Sequence, residues 1–405
     1  MHIINVIRFL LLFLLLFISS GLCEEVISAL PQTGGNRAFA MGGTYIASNK
    51  GINALYGNPA GLTTDNGFEF VASSYWQTYK KQQFETDYYS RYWYNDESSF
   101  SIEYDRKSDF NQTGLLLQKQ ITTYPVKIAG AVGLSPFYNF NNTRSFKEIY
   151  RYETSSSEII HSTYIEKDKI EGLYNLVHIG IGISTDRIGS IGFSLNYPVN
   201  KQYKHNYNVT HLYKRNGNIL VDDAYQYKDS QKVTASKFIR IGGILHLTSV
   251  LSIGILWNQS YHYNLEQERR TFPSTFNFGV AYRLIPNMLF AFDIQSLPWE
   301  KVKLDNAYLQ DAKNGNSYRF GLEYGNKIIL RGGYALDRLP ILDSADNPVN
   351  LNNITLGIAY PIKFIVFDLG MRYRFKTFNT GSVHGESFDY IIRDFVIQSS
   401  IILSL

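Results

Sequence analysis

Residues 354–375 read ITLGIAYPIKFIVFDLGMRYRF and contain two alternating runs. Ile354, Leu356, Ile358 and Tyr360 alternate with Thr355, Gly357 and Ala359. Phe367, Leu369, Met371, Tyr373 and Phe375 alternate with Asp368, Gly370, Arg372 and Arg374. Side chains of a strand point to opposite faces with period two. Each run is therefore a strand with one apolar face and one face of small or charged residues, and a tight connection near 361–362 joins them.

The pattern extends outward from this pair. Tyr318, Phe320, Leu322 and Tyr324 alternate with Arg319, Gly321 and Glu323, and Phe276, Phe278, Val280, Tyr282 and Leu284 alternate with Asn277, Gly279, Ala281 and Arg283. Runs at 179–184, 191–199, 238–248 and 252–260 behave alike. A soluble sandwich also alternates, so the connections decide. Those near 185–188, 248–250, 285–287, 325–327 and 361–362 are tight. Those near 139–171, 201–236, 263–273, 297–316, 337–351 and 376–390 are long and polar. Short turns at one end and long loops at the other are the layout of a membrane β-barrel. In lipid an unpaired backbone group costs several kcal/mol, so the sheet must close. Counting back from the C-terminus, with candidates at 68–79 and 112–121 and ambiguous pieces at 84–94 and 99–106, predicts an all-β antiparallel barrel of fourteen strands, with sixteen as the alternative.

Both ends of the chain agree with this. Phe395, Ile397, Ile401, Leu403 and Leu405 take every second position to the terminus, Ser399 excepted, as in a strand read by a barrel-assembly machinery. The N-terminus has one fixed positive charge at Arg8, then FLLLFLLLFI (Phe9–Ile18), then Ser19–Cys23. This is the layout of a secretory signal peptide. The run is too short for a spanning helix, which needs about twenty residues. Gly21 and Cys23 suit a cleavage site after Cys23, predicting a signal peptide over 1–23. Lipidation of Cys23 is disfavoured by Leu22. Cys23 is the only cysteine, so the mature chain has no disulfide. With 31 Tyr, 26 Phe, 18% charged residues and a net charge of +4, the chain is aromatic and near neutral. Nucleic acid is not an expected partner; outer-membrane lipid is.

Residues 24–66 do not alternate. They are rich in glycine (Gly34, Gly35, Gly42, Gly43, Gly51, Gly57, Gly61) and alanine, yet hold Phe39, Met41, Tyr45, Leu55 and Tyr56. An unfolded leader needs no such side chains. The segment is predicted to be a compact plug in the lumen, followed by the barrel over 67–405. Ile52–Tyr56 suits one helical turn, which Asn58-Pro59 ends.

The segment resembles the hatch of the FadL/TodX family of outer-membrane transporters for long-chain fatty acids and other hydrophobic compounds. The match rests on Asn36-Arg37-Ala38 with Met41-Gly42-Gly43, and on Asn58-Pro59-Ala60-Gly61-Leu62. It continues through FGVAYRL and LFAFDIQSLPW (278–299), YRFGLEYGNKIILRGGYALDRLP (318–340) and ITLGIAYP (354–361). The resemblance implies a fourteen-stranded barrel closed by an N-terminal hatch. A hydrophobic ligand would be caught outside, pass to an inner pocket, shift the hatch and leave sideways into the membrane. Related PorV-type barrels share such a segment and serve protein secretion or surface attachment, which is the alternative. The outer loops 139–171 and 201–236 are polar and show no apolar capture groove.

No catalytic, cofactor or metal motif is present: no His-Glu-x-x-His, no Gly-x-Ser-x-Gly and no phosphate loop. The chain is thus expected not to be an enzyme. The alternation places Arg240, Arg283, Asp293, Arg319, Glu323, Arg331, Asp368, Arg372 and Arg374 on the lumen face. They either neutralise one another in a solvated lumen or bind the hatch or a carboxylate ligand. Tyr282, Tyr324, Tyr334, Tyr360 and Tyr373 are expected in the aromatic girdles.

Overall fold

The computed structural model describes residues 34–405 apart from 64–66, 83–84, 91–92, 105–108, 122–125, 140–141, 154–158, 172, 186–187, 200–201, 233, 266–267, 305–306, 309–312, 344 and 384–385. The expected signal peptide and its cleavage site lie outside the described residues. No helix among the described residues is long and apolar enough to cross a membrane.

Fourteen antiparallel strands form the wall. In chain order they are β1 (Phe68–Gln82), β2 (Asp109–Ile121), β3 (Val126–Asn139), β4 (Leu173–Thr185), β5 (Gly189–Val199), β6 (Phe238–His246) and β7 (Leu251–Asn258). Then come β8 (Thr275–Ile285), β9 (Met288–Leu297), β10 (Gly315–Tyr324), β11 (Ile329–Leu342), β12 (Pro348–Ile362), β13 (Ile365–Val383) and β14 (Glu386–Ser404). Each pairs with the next, and β14 returns to β1 in an unbroken register from Glu69↔Ser404 to Gln82↔Ile391. Phe68 N–H donates to Leu405 O and Leu405 N–H to Phe68 O, so the seam is tied at the end of the short turns. No strand edge is left open, as a lipid environment demands.

The ambiguous pieces of the sequence settle the strand number. Residues Glu85–Ser90 and Trp93–Tyr104 pair with each other; the second also pairs with Asn142–Glu153 and touches β1 only at Tyr79 and Lys80, so neither is a stave of the ring. The long connections are not irregular. Asn142–Glu153, Ile159–Glu171, Gln202–Arg215 and Asn218–Lys232 pair in succession and extend the sheet of the wall beyond the ring. Short strands at Tyr261–Leu265, Glu268–Phe272 and Lys303–Leu304 add a smaller one.

The two faces of the wall separate as the alternation predicts. Leu356 is 55% exposed and its neighbour Thr355 2%. Ile179, Phe193, Ile255, Phe278, Phe320, Leu330 and Ile401 share the exposed face. This belt is apolar surface of a kind that a soluble monomer does not leave bare. Tyr282, Tyr324 and Tyr360 stand on it near the short turns, and Tyr334 and Tyr373 further along.

The tip of the hairpin joining Gln202–Arg215 to Asn218–Lys232 is Asn216-Gly217, both with positive φ (47° and 84°), the two-residue turn that Asn-Gly favours. It lies at the end opposite to Leu405. An epitope placed at Asn216 is expected to be labelled by antibody on intact cells; labelling only after permeabilisation would reverse the orientation.

Candidate functional site

Residues 34–63 run inside the ring. Helix α1 (Gly35–Ala40) is followed by two 3-10 turns, Gly51–Tyr56 and Pro59–Leu62. The Asn58-Pro59 pair does more than end the first turn. Pro59 sits at the first position of the second, where its missing N–H is no loss, and Asn58 Oδ1 accepts from Ala60 N–H at 3.1 Å as its cap. Asn58 Nδ2 donates to Ile46 O (2.6 Å) and to Ile255 O of β7 (3.2 Å), which fixes this corner to the wall.

Small inward residues of the wall make room for the segment. A Cβ added to Gly114 would lie 3.0 Å from Ile52 Cδ1, to Gly180 2.7 Å from Leu55 Cδ1, and to Gly182 3.0 Å from Leu62 Cβ. On the other side, one added to Gly279 would lie 2.7 Å from Ile46 Cβ, to Gly321 2.9 Å from Met41 Cβ, and to Gly370 2.8 Å from Phe39 Cδ1. Glycine in a strand often marks such a close approach. At Gly42 the contact is backbone against backbone: its φ is +69°, and a Cβ there would meet Phe320 O at 2.5 Å and Tyr334 N at 2.8 Å. Gly61 packs likewise against Asn49, and Gly43 against the Arg319 guanidinium.

Polar wall side chains satisfy the segment's backbone, as buried peptide groups require. Asp293 Oδ2 accepts from Tyr45 and Ile46 N–H (2.7 and 3.0 Å). Glu69 accepts from Ile52 N–H (2.8 Å). Thr355 Oγ1 accepts from Gly42 N–H (2.7 Å) and donates to Ala40 O (3.0 Å). Arg240 Nη1 donates to Tyr56 O (2.9 Å), and the Tyr56 hydroxyl to Thr113 O (2.6 Å). Arg37 forms a two-pronged ion pair with Glu323 (2.7 and 2.8 Å) and also donates to Ser48 O. Glu323 also binds Arg331, which reaches Asp368 at 2.6 Å.

The remaining lumen residues fall into separate groups. Arg319 pairs with Asp337 at 2.9 Å, and Asn353 donates to the same carboxylate. Arg374 binds Asp394, with Arg372 at 4.0 Å from it and 5.1 Å from the Phe39 ring. Arg283 stays exposed near the short turns and joins none of these groups. Asn36 is fully buried beside Gly370, and neither its Nδ2 nor its Oδ1 has a hydrogen-bond partner. Glu69, Thr355, Asp337 and Asp394 were not among the candidates read from the sequence. Thr355 was visible as an inward position, but nothing local showed what it faces.

One cavity opens beside Tyr45, where the long connections leave the wall. Its volume is about 100 Å³. Phe238, Tyr261, Phe272 and Trp299 form its aromatic side; Arg240, Asn277, Gln295 and Arg319 give the polar side. Phe238 stacks on Tyr261 and Tyr261 on Phe272, each with ring centres 5.0 Å apart. Trp299 is held by donation to Arg338 O at 2.9 Å.

No protein-family model matches the sequence. No curated protein matches it either. Solved structures do. The Pseudomonas putida toluene transporter TodX is similar over 92% of this chain and 99% of its own, with 14% identity and a TM-score of 0.57. The monoaromatic hydrocarbon channel CymD is similar over 92% and 98%, with 13% identity and a TM-score of 0.53. A Pseudomonas aeruginosa FadL homologue is similar over 95% and 100%, with 10% identity and a TM-score of 0.50. At such identities the likeness is one of fold. The chain thus shares the fold of the FadL/TodX barrels.

Proposed function

We propose that the protein is an outer-membrane channel for uptake of hydrophobic small molecules, with residues 24–66 as its hatch. The observation that carries this reading is the aromatic-sided cavity that Tyr45 of the segment helps to line, inside a wall whose outer face is apolar. An apolar solute gains by passing between such surfaces without entering water, and lateral exit into outer-membrane lipid keeps it buried throughout. The named neighbours act on toluene and monoaromatic hydrocarbons. Monocyclic aromatics and long-chain fatty acids are accordingly the compounds to try. Of the motif residues, Arg37 and Asn58 would tie the hatch to the wall, Met41–Gly43 and Pro59–Gly61 would pack it closely, and Asn36 would be buried beside Gly370. The C-terminal strand would present the protein to the assembly machinery, and no catalytic or cofactor role is proposed.

A second reading has its own observation. The side of the lumen under β10–β14 is filled by Arg–carboxylate pairs, which suits a rigid scaffold for secretion or surface attachment. Accumulation of radiolabelled toluene and palmitate separates the two. Cells making the protein are expected to take up at least one of them several times faster than cells lacking it. Equal rates for both compounds, at normal surface levels, would contradict uptake.

A further inference from the structure

Among the described residues, one charge in the cavity beside Tyr45 has no counter-charge. Arg240 is 5% exposed and lines the cavity. It donates one hydrogen bond, to Tyr56 O, stands 5.4 Å from the centre of the Phe238 ring, and faces the hydroxyls of Tyr45 and Tyr261. Among the described residues no carboxylate lies within ion-pair distance of it. Arg319, the other cation of the lining, is already paired with Asp337. No residue of the lining is acidic. Gln295, 9% exposed, adds an Nε2 with no hydrogen-bond partner. Asn258 and Asn277 are committed within the wall, to Thr275 Oγ1 and to Ser296 N–H. The buried donors left over are the Arg240 guanidinium and Gln295 Nε2. Burying a guanidinium without a counter-charge costs several kcal/mol, and a site that keeps one is complementary to an anion.

The opposite side of the same cavity fixes what carries that anion. The Phe238–Tyr261–Phe272 stack and Trp299 offer flat faces to a ring. At about 100 Å³ the cavity is smaller than the engineered apolar cavity of about 150 Å³ that takes benzene, so it holds one ring at most, with the rest of the ligand in its open mouth. An extended acyl chain does not fit that space.

The structure assigns this cavity to a monocyclic aromatic acid, with the carboxylate against Arg240 and Gln295 and the ring on the Phe238–Tyr261–Phe272 side. The assignment rests on the uptake reading and narrows its substrate class. A bare aromatic hydrocarbon would leave Arg240 unpaired, and such polar mismatch weakens binding.

Calorimetric titration of the purified full-length protein with benzoate, toluene and palmitate tests it. Benzoate is expected to bind more tightly than either of the others. Arg240→Met should weaken benzoate roughly thirtyfold or more, the loss typical of removing one member of a buried charge pair, while leaving toluene within about threefold. Arg240→Lys should recover part of the loss, and Gln295→Leu should weaken benzoate less than Arg240→Met does. Folding of each variant is checked by its resistance to SDS before heating. If Arg240→Met does not fold, the Arg240→Lys and Gln295→Leu variants carry the test. Tighter binding of toluene or palmitate than of benzoate overturns the assignment, as does benzoate binding that Arg240→Met, or both other variants, leave unchanged. Absence of binding by all three overturns it too. The uptake reading fails on a different result: none of the three compounds accumulates in cells, whatever binds to the purified protein.

Discussion

Leu356→Arg is expected to stop the barrel from assembling, while Thr355→Arg is expected to leave the wall intact and expel the segment inside it. The two positions are adjacent on β12 and face opposite ways, 55% and 2% exposed. A charge on the lipid face near the midplane costs about 2–4 kcal/mol, and Leu356 stands well inside the exposed apolar belt. The alternation alone suggests that an inward charge is harmless. Thr355 is different because its hydroxyl is held between Gly42 N–H and Ala40 O, with no room for a guanidinium. Heat-modifiable migration on gels should be lost for Leu356→Arg and kept for Thr355→Arg. Protease should then cut the N-terminal segment of Thr355→Arg only. Equal damage from both would mean that the faces are misassigned.

Gly42→Val is the second large effect. Its backbone is in the left-handed region, where a β-branched side chain is strained, and the wall backbone of Phe320 and Tyr334 lies 2.5–2.9 Å from where its Cβ would be. Strain of about 1–3 kcal/mol adds to a clash that neither backbone can relieve without losing strand pairing. The 41–44 stretch should therefore lift from β10 and β11. Cells making the variant are expected to become sensitive to a large antibiotic that the outer membrane excludes, by tenfold or more in inhibitory concentration. Unchanged sensitivity at normal surface levels would show that this contact does not hold the segment.

The wall was legible because lipid outside and a packed interior inside make every strand two-faced. The run at 354–375 shows both faces in a single hairpin. The hairpins at 142–171 and 202–232 read as loops because they are mostly polar, with only scattered apolar residues; it is their pairing with one another that makes them strands. Helix α1 was not legible, since Gly34 and Gly35 at its start are poor helix signals. Asn58-Pro59 was read as a terminator, and the start of the next turn behind it was missed. The register showed that Glu323 and Arg331 point inward. It could not show that Glu323 meets Arg37, 286 residues away. The cavity was invisible for a similar reason: Phe238 comes from the start of β6, Trp299 from the 3-10 turn after β9, and Tyr261 and Phe272 from the small outer sheet.

The central claim is that a hatch closes this barrel, and single-channel recording in a planar bilayer tests it most directly. The full-length protein should pass almost no steady current. A variant lacking residues 34–62 should still fold, because β1 to β14 close on their own backbone pairing, and should conduct steadily through its polar interior. A large, steady conductance from the full-length protein, unchanged by the deletion, would contradict the account.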